Sequence, residues 1–415
     1  MNTMSSDLRV NGDRLWSRLM DMAQHGATPA GGCNRQALTD EDRAGRELFV
    51  QWCQAAGCEI RRDAIGNLFA RRPGREDSLA PVLVGSHLDT QPSGGKYDGV
   101  YGVLAGLEVI ECLNEAGFQT RRAIDIAVWT NEEGCRFDTA MMGSAVWSGA
   151  MELEDAYALT DRSGVSVLDE LKRTGQLGDE PAKAGPVHAA FELHIEQGPV
   201  LEAEQLAVGV VTGVQHMSRH RVVINGQETH AGPSPMALRR DPVMGLAECL
   251  TLLYALAEEQ GPDSRITFGV LSASPGSSNT VPGRVEFTVD IRHPDASRYR
   301  ALLAGYDSIV QAACDKFDLA VERHCFWEAP GVSFDGDCIA AVQGAVEALG
   351  YSHRAMVSGA GHDACNVAGV APTSMIFIPC EGGLSHNEAE AITAKQAEAG
   401  ANVLLGAVIA TAESV

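Results

Sequence analysis

The 415-residue sequence predicts an α/β protein: a larger domain with a mostly parallel central sheet, interrupted by a smaller inserted domain of the ferredoxin-like type. Two observations carry that prediction. Short apolar runs of strand length end abruptly in polar, glycine-bearing segments and are followed by helical stretches, the alternation a parallel sheet requires. The middle of the chain then changes texture, and its elements follow the order βαββαβ.

Helical spacing of apolar residues covers 13–23 and 40–56, and a short strand pair follows near 59–70. Val82, Leu83 and Val84 read as a buried strand, with a helix over 99–116 behind it. A second buried strand spans 123–130 and is followed by a helix expected over 137–147. Further strands begin at Phe191 and Ser374, and a last helix covers 395–411. Residues 181–186, bracketed by prolines, read as a surface loop. In the middle, strands are expected over 220–225, 266–272, 285–292 and 319–325, with helices over 242–257 and 296–316. This unit divides the chain into a motif-bearing domain of 1–214 and 328–415 and an inserted lid domain of 215–327.

The chemistry gathers where strands end, at the place where open α/β sheets put their ligands. The first buried strand runs into Gly85-Ser86-His87-Leu88-Asp89-Thr90, with Gly94-Gly95-Lys96-Tyr97-Asp98-Gly99 close behind. The second ends in Asn131-Glu132-Glu133-Gly134, the third carries His194, and the fourth leads to Ser385-His386-Asn387-Glu388. One histidine after one strand is ordinarily a hydrogen-bonded structural residue, but the pattern recurs at four strand ends. His, Asp and Glu without cysteine suit one or two divalent ions such as zinc, manganese or cobalt. The inserted domain adds Thr229-His230-Ala231-Gly232, Ser278-Asn279-Thr280 and Asp290-Ile291-Arg292-His293, which together offer a neutral donor, an amide and a guanidinium suited to gripping an anion.

Bulk properties narrow the partners. A formal charge of −23 excludes nucleic acid and anionic membrane as natural ligands, since both call for a basic surface. Eleven cysteines without repeated spacing point to a reducing compartment. No run reaches membrane-spanning length and residues 1–18 lack a signal-like apolar core, so a cytoplasmic location is expected. Cys135, beside the glutamate pair, reads as a small buried apolar residue rather than a functional thiol.

The runs GSHLDTQPSGGKYDG, TNEEGCRF, ELHIEQGPVLE, THAGPSPMALRRD, SSNTVPGRVEF, DIRH, SGAGHDA and SHNEAE resemble, in order and spacing, the metal-dependent amidohydrolases that include N-carbamoyl-L-amino-acid hydrolases, β-ureidopropionases and allantoate amidohydrolases. The resemblance spans the chain from about Leu15 onward. Related aminoacylases and dipeptidases share the metal residues but not usually HIEQGP or GGKYDG. It implies two divalent ions per subunit, with His87 and His194 on one, Glu133 and His386 on the other, and Asp98 bridging. It further implies Glu132 as general base and Asp89 behind His87, holding the imidazole in one tautomer. His230 would stabilise the oxyanion in a partner subunit's site, and Gln215, Asn279, Arg292 and Gly361 would bind the substrate. The expected reaction is hydrolysis of the carbamoyl C–N bond of an N-carbamoyl-L-amino acid by a homodimer; allantoate and N-carbamoyl-β-alanine are the alternative substrates, and a non-catalytic binding protein is the rival class.

Overall fold

Four parallel strands, Ile124–Trp129, Val82–His87, Ala189–Ile195 and Thr373–Ile378, lie side by side in that order in the computed structural model, which describes residues Leu8–Ser414. Every residue in them is buried. That explains their near-continuous apolar sequences, because a sheet covered on both faces has no solvent side to mark by alternation. Antiparallel strands extend both edges: Leu68–Arg72 and then Glu59–Arg62 beyond Ile124–Trp129, and Val208–Val214 beside Thr373–Ile378. Parallel neighbours point their carboxyl ends the same way, so the four motif-bearing ends share one rim.

The chain divides into two units, one built from residues up to Gly213 and from Ser333 onward, the other from Val214–Val332. In the first, helices Gly12–Met22, Val100–Glu115, Gly336–Leu349 and Ala394–Ala412 contribute to the main core with the sheet. Gly102 lets the second of these lie against the His194 strand, since a Cβ there would meet the Leu193 carbonyl oxygen at 2.2 Å. The last helix starts on a capping box, with Thr393 and Gln396 satisfying each other's backbone N–H groups. A smaller cluster, including Phe69, Leu83, Trp129 and Trp147, forms a second apolar layer.

One helix is shorter than its sequence suggests. Instead of 137–147 it spans Met142–Ser148, because the preceding segment is folded into a turn. Met141 donates its N–H to the Glu132 carbonyl at 2.7 Å, and the Asn131 amide donates to the Phe137 and Thr139 carbonyls at 3.2 and 2.9 Å. Residues 181–186 carry no regular secondary structure and are largely exposed.

In the second unit an antiparallel sheet places strand Arg284–His293 beside His216–Asn225, which in turn pairs with Ala320–Ala329. Helices Pro242–Gln260 and Ala296–Lys316 contribute Leu253, Tyr299, Leu302 and Tyr306 to a core with Val222, Ile224, Phe287 and Val289. The order is βαββαβ, with two departures. The strand expected over 266–272 is two pieces, Arg265–Thr267 and Leu271–Ser274, each paired to Arg284–His293. The last strand keeps pairing to Ala329 opposite Met217, past residue 328 where the first domain was expected to resume. Among the described residues no helix is long and apolar enough to cross a membrane.

Candidate metal centre and active site

His87 is the last residue of its strand and His194 the last but one of the next. Their Nδ1 atoms lie 2.8 Å from the Asp89 carbonyl and 2.9 Å from the Ile195 carbonyl. A carbonyl only accepts, so each Nδ1 carries the proton and each Nε2 is left with its lone pair. Both Nε2 atoms face one oxygen of Asp98, at 3.5 Å from His87 and 3.0 Å from His194. The Gly99 N–H, 3.1 Å from His194 Nε2, donates to it and agrees with that tautomer.

The other oxygen of Asp98 faces a second pair. His386 Nε2 lies 3.8 Å from Asp98 Oδ2 and 3.1 Å from Glu133 Oε2. Glu132, next in the chain, turns the other way and brings Oε2 to 3.5 Å from His87 Nε2. The five residues thus form two groups able to hold a cation, His87, Asp98 and His194 in one and Asp98, Glu133 and His386 in the other. Asp98 belongs to both.

Asp89 fixes the His87 tautomer through its main chain, and its carboxylate has another task. Its carboxylate is 4.0 Å from His87 Nδ1, whose proton goes to the Asp89 main chain; instead the carboxylate accepts the N–H groups of Glu132 and Glu133, each at 3.2 Å. It therefore fixes the backbone of the glutamate pair. Three supports went unassigned in the sequence. Glu390 accepts the N–H groups of Tyr97 and Asp98 at 2.9 and 3.1 Å, Gln197 donates to Asp98 Oδ2 at 2.7 Å, and Gln91 donates to Glu133 Oε2 at 2.7 Å. Two of them stand in the runs EQGP and HNEAE, but no spacing rule ties either to residue 98. Asn131, Gln197 and His386 all have positive φ, of 56, 57 and 54°. A non-glycine residue held there is strained, and such strain concentrates at functional sites.

Electrostatics favour a cation in this rim. Burial alone would raise the Asp98 pKa, yet the imidazoles of His194 and His87, when a proton rather than a metal ion sits on Nε2, hold it well below the usual carboxylate range. Burial drives Glu132 well above that range, with Asp363, Glu133 and Asp89 adding to the effect against His87. The hydrogen bond that His386 donates to Glu133 lifts its pKa to about 9. So many acidic groups facing three histidines bind protons when no ion competes, and hard or borderline O and N donors in this arrangement suit divalent ions. The donor set therefore fits the metal that the sequence implied. A third grouping, Glu192, His194 and His362, is otherwise engaged: Glu192 accepts from Ser86 Oγ and the Ala364 N–H, each at 2.8 Å, and the lone pair of His194 already faces Asp98. Burial pushes the Cys135 thiol up to about 12, so it remains protonated beside the rim.

The second unit places the expected substrate-binding residues as follows. His230 pairs with Thr280 in a two-stranded ribbon, and the Ala231 N–H donates to the Asn279 carbonyl at 2.9 Å, which brings His230 and Asn279 together. His230 is exposed, and its Nδ1 accepts the Gly232 N–H at 3.1 Å, so the proton sits on Nε2 as a donor. Arg292 stands opposite Met217 and is gripped by Asp290, Nε to Oδ1 at 2.6 Å and Nη2 to Oδ2 at 3.0 Å. Gln215 is buried just before the strand His216–Asn225. Gly361 lies in the first unit, beside His362.

Residues 83–410 match the model of peptidase family M20/M25/M40. An N-carbamoyl-L-amino-acid amidohydrolase of Rhizobium meliloti is 48% identical over 407 residues, covering 98% of each chain. Allantoate amidohydrolase of Escherichia coli is 35% identical over 371 residues, covering 89% of this chain and 90% of the relative. A crystal structure of a hydantoinase/carbamoylase family amidase from Burkholderia multivorans superposes with a TM-score of 0.96 at 48% identity, over 98% of this chain and 99% of that one. The chain belongs to the M20/M25/M40 family and is a metal-dependent hydrolase of its carbamoylase-type amidase branch.

Proposed function

We propose that this enzyme hydrolyses the carbamoyl C–N bond of an N-carbamoyl-L-amino acid, releasing the amino acid, ammonia and carbon dioxide. The observation that carries the reading is Asp98 standing between two donor pairs, one carboxylate oxygen to each. The relative from Rhizobium meliloti, similar along the whole chain, supports the choice of substrate.

His87, Asp98 and His194 would hold one divalent ion, and Asp98, Glu133 and His386 another; zinc, manganese or cobalt suits these donors. Such ions, when bound, lower the pKa of water and polarise the attacked carbonyl. Glu132, buried and within 3.5 Å of His87, takes the proton from the attacking water and passes it to the leaving nitrogen. Asp89 keeps Glu132 and Glu133 on their opposite tasks by fixing their N–H groups. From the second unit, His230 donates through Nε2 to the developing oxyanion, while Arg292, Asn279, Gln215 and, from the first, Gly361 hold the substrate. Arg292 is assigned the carboxylate, because its guanidinium is oriented by Asp290.

The proposal includes a cytoplasmic homodimer formed through the second unit, in which His230 serves the neighbouring site. Eleven free thiols suit a reducing compartment, and Tyr254, Val270 and Leu271 expose apolar surface on that unit. Ammonia release from a panel of ureido compounds tests the substrate. An N-carbamoyl-L-amino acid should give a higher kcat/KM than its D-enantiomer, its carboxamide or allantoate, and Arg292→Ala should erase most of the preference for carboxylate over carboxamide. Allantoate turning over fastest would assign the enzyme to that substrate instead.

A further inference from the structure

Toward the amino ends of the strands that carry the metal-binding rim, the first unit contains a cavity of about 450 Å³ with no role in the reaction above. Its wall follows from strand register. Arg61 stands opposite Phe69, Arg71 opposite Asp125, and Asp125 opposite Leu83, so with the two-residue alternation of a strand these side chains leave the sheet on one face. Trp147 and residues of the segment 180–187 also line the space, which stays open to solvent on one side. Leu83 and Asp125 lie near the beginnings of the strands whose carboxyl ends carry His87 and Glu132. The cavity is therefore separate from the metal centre.

An aspartate near the start of a fully buried strand needs cations, and Asp125 has two. Arg61 and Arg71 both reach its Oδ2 at 3.3 Å, and Arg61 also reaches Glu180 at 3.2 Å. These contacts are longer than the roughly 2.7–2.9 Å of a good charge-assisted bond. Two guanidiniums carry ten N–H donors between them, most of them not used here, and the buried Nε of Arg61 has no partner. Lys183 adds a third cation at the cavity wall, while the carboxylate of Asp63 is engaged by Asn67 through two hydrogen bonds of 2.8 Å. Among the charges, Phe69 and Leu83 on the same sheet face, with Trp147 and Pro186, add an apolar lining, and the Arg61 guanidinium lies 5.5 Å from the centre of the Phe69 ring.

We propose that this cavity binds a small organic carboxylate with an apolar body, its carboxylate bridging Arg61 and Arg71 and its body lying against Phe69 and Trp147. Asp125 and Glu180 repel any anion here, a phosphate dianion about twice as strongly as a monoanion, and only a ligand with an apolar body also gains from Phe69 and Trp147. The probe is 4-methylpentanoate, which has neither a ureido nor an amino group, compared with 4-methylpentanamide by calorimetric titration of the metal-loaded enzyme. The carboxylate should bind at least tenfold more tightly than the amide. Arg71→Met should weaken it at least tenfold while leaving kcat/KM for the ureido substrate unchanged. Ala80→Trp, which fills the cavity without removing a charge, should abolish the same binding event. Equal affinity for acid and amide, or binding undiminished in both variants, would overturn the proposal, the latter by assigning the ligand to the metal centre.

Discussion

Adjacent carboxylates with different partners give the sharpest test at the level of single residues. Glu132→Gln should keep the full metal content and lose at least ~10²–10⁴-fold in kcat, the usual loss on removing a general base. Glu133→Gln should lower the metal content measured after gel filtration. Metal lost from the first variant and retained by the second would reverse the two roles. Gly99 offers a purely steric test of the same rim. Its φ is +67°, and a Cβ there would sit 2.3 Å from His87 Nε2. Gly99→Ala should therefore displace that imidazole and reduce metal content and activity together, with little change in the circular dichroism spectrum. What sequence made legible here was the residue types at strand ends, because chain order places those ends on one rim. It could not reveal Glu390 or Gln197 as supports of Asp98, since those contacts depend on how three loops meet.

Among the elements, helix Asp40–Ala55 has an influence its amphipathic pattern does not announce. Arg46 and Asp42, both fully buried, pair across one turn at 3.1 Å, and the guanidinium continues to the carbonyls of Gly66 and Trp129 at 2.9 and 3.1 Å. It thereby anchors the end of the strand that leads into Glu132. Arg46→Met should destabilise the protein by about 3–5 kcal/mol, the cost of leaving a buried charge without its partner, as read from denaturant unfolding. Asp42→Asn with Arg46→Met should recover part of that loss; no recovery would mean that the carbonyl contacts, not the ion pair, matter. Helix and strand positions were readable from apolar spacing, but ends were not. The 137–147 helix lost its first turn to hydrogen bonds centred on Asn131, and the 266–272 strand split where residues 268–270 leave the regular ladder. In both, contacts outside the local pattern decided the boundary.

For the whole molecule, metal and assembly make the predictions. A strong chelator should abolish activity, zinc, manganese or cobalt should restore it, and the far-ultraviolet spectrum should stay folded throughout, because the main core lies in the sheet and helices rather than at the rim. His230→Ala should cost ~10²–10³-fold in rate, as loss of an oxyanion donor does. Mixed with Glu132→Gln subunits it should recover activity, since one site of the heterodimer would then have both residues. Recovery that stays at zero after demonstrated subunit exchange would assign His230 to its own chain.

The four parallel strands also impose a calendar on the growing polypeptide. His87, Asp98 and His194 all emerge before the second unit is made, and their two strands are direct neighbours in the sheet. Glu133 leaves the ribosome early as well, but its companion His386 follows the strand Thr373–Ile378, almost the last element synthesised. One half of the centre thus becomes able to capture an ion long before the other, and a chain truncated ahead of that strand would carry a lopsided, half-built rim.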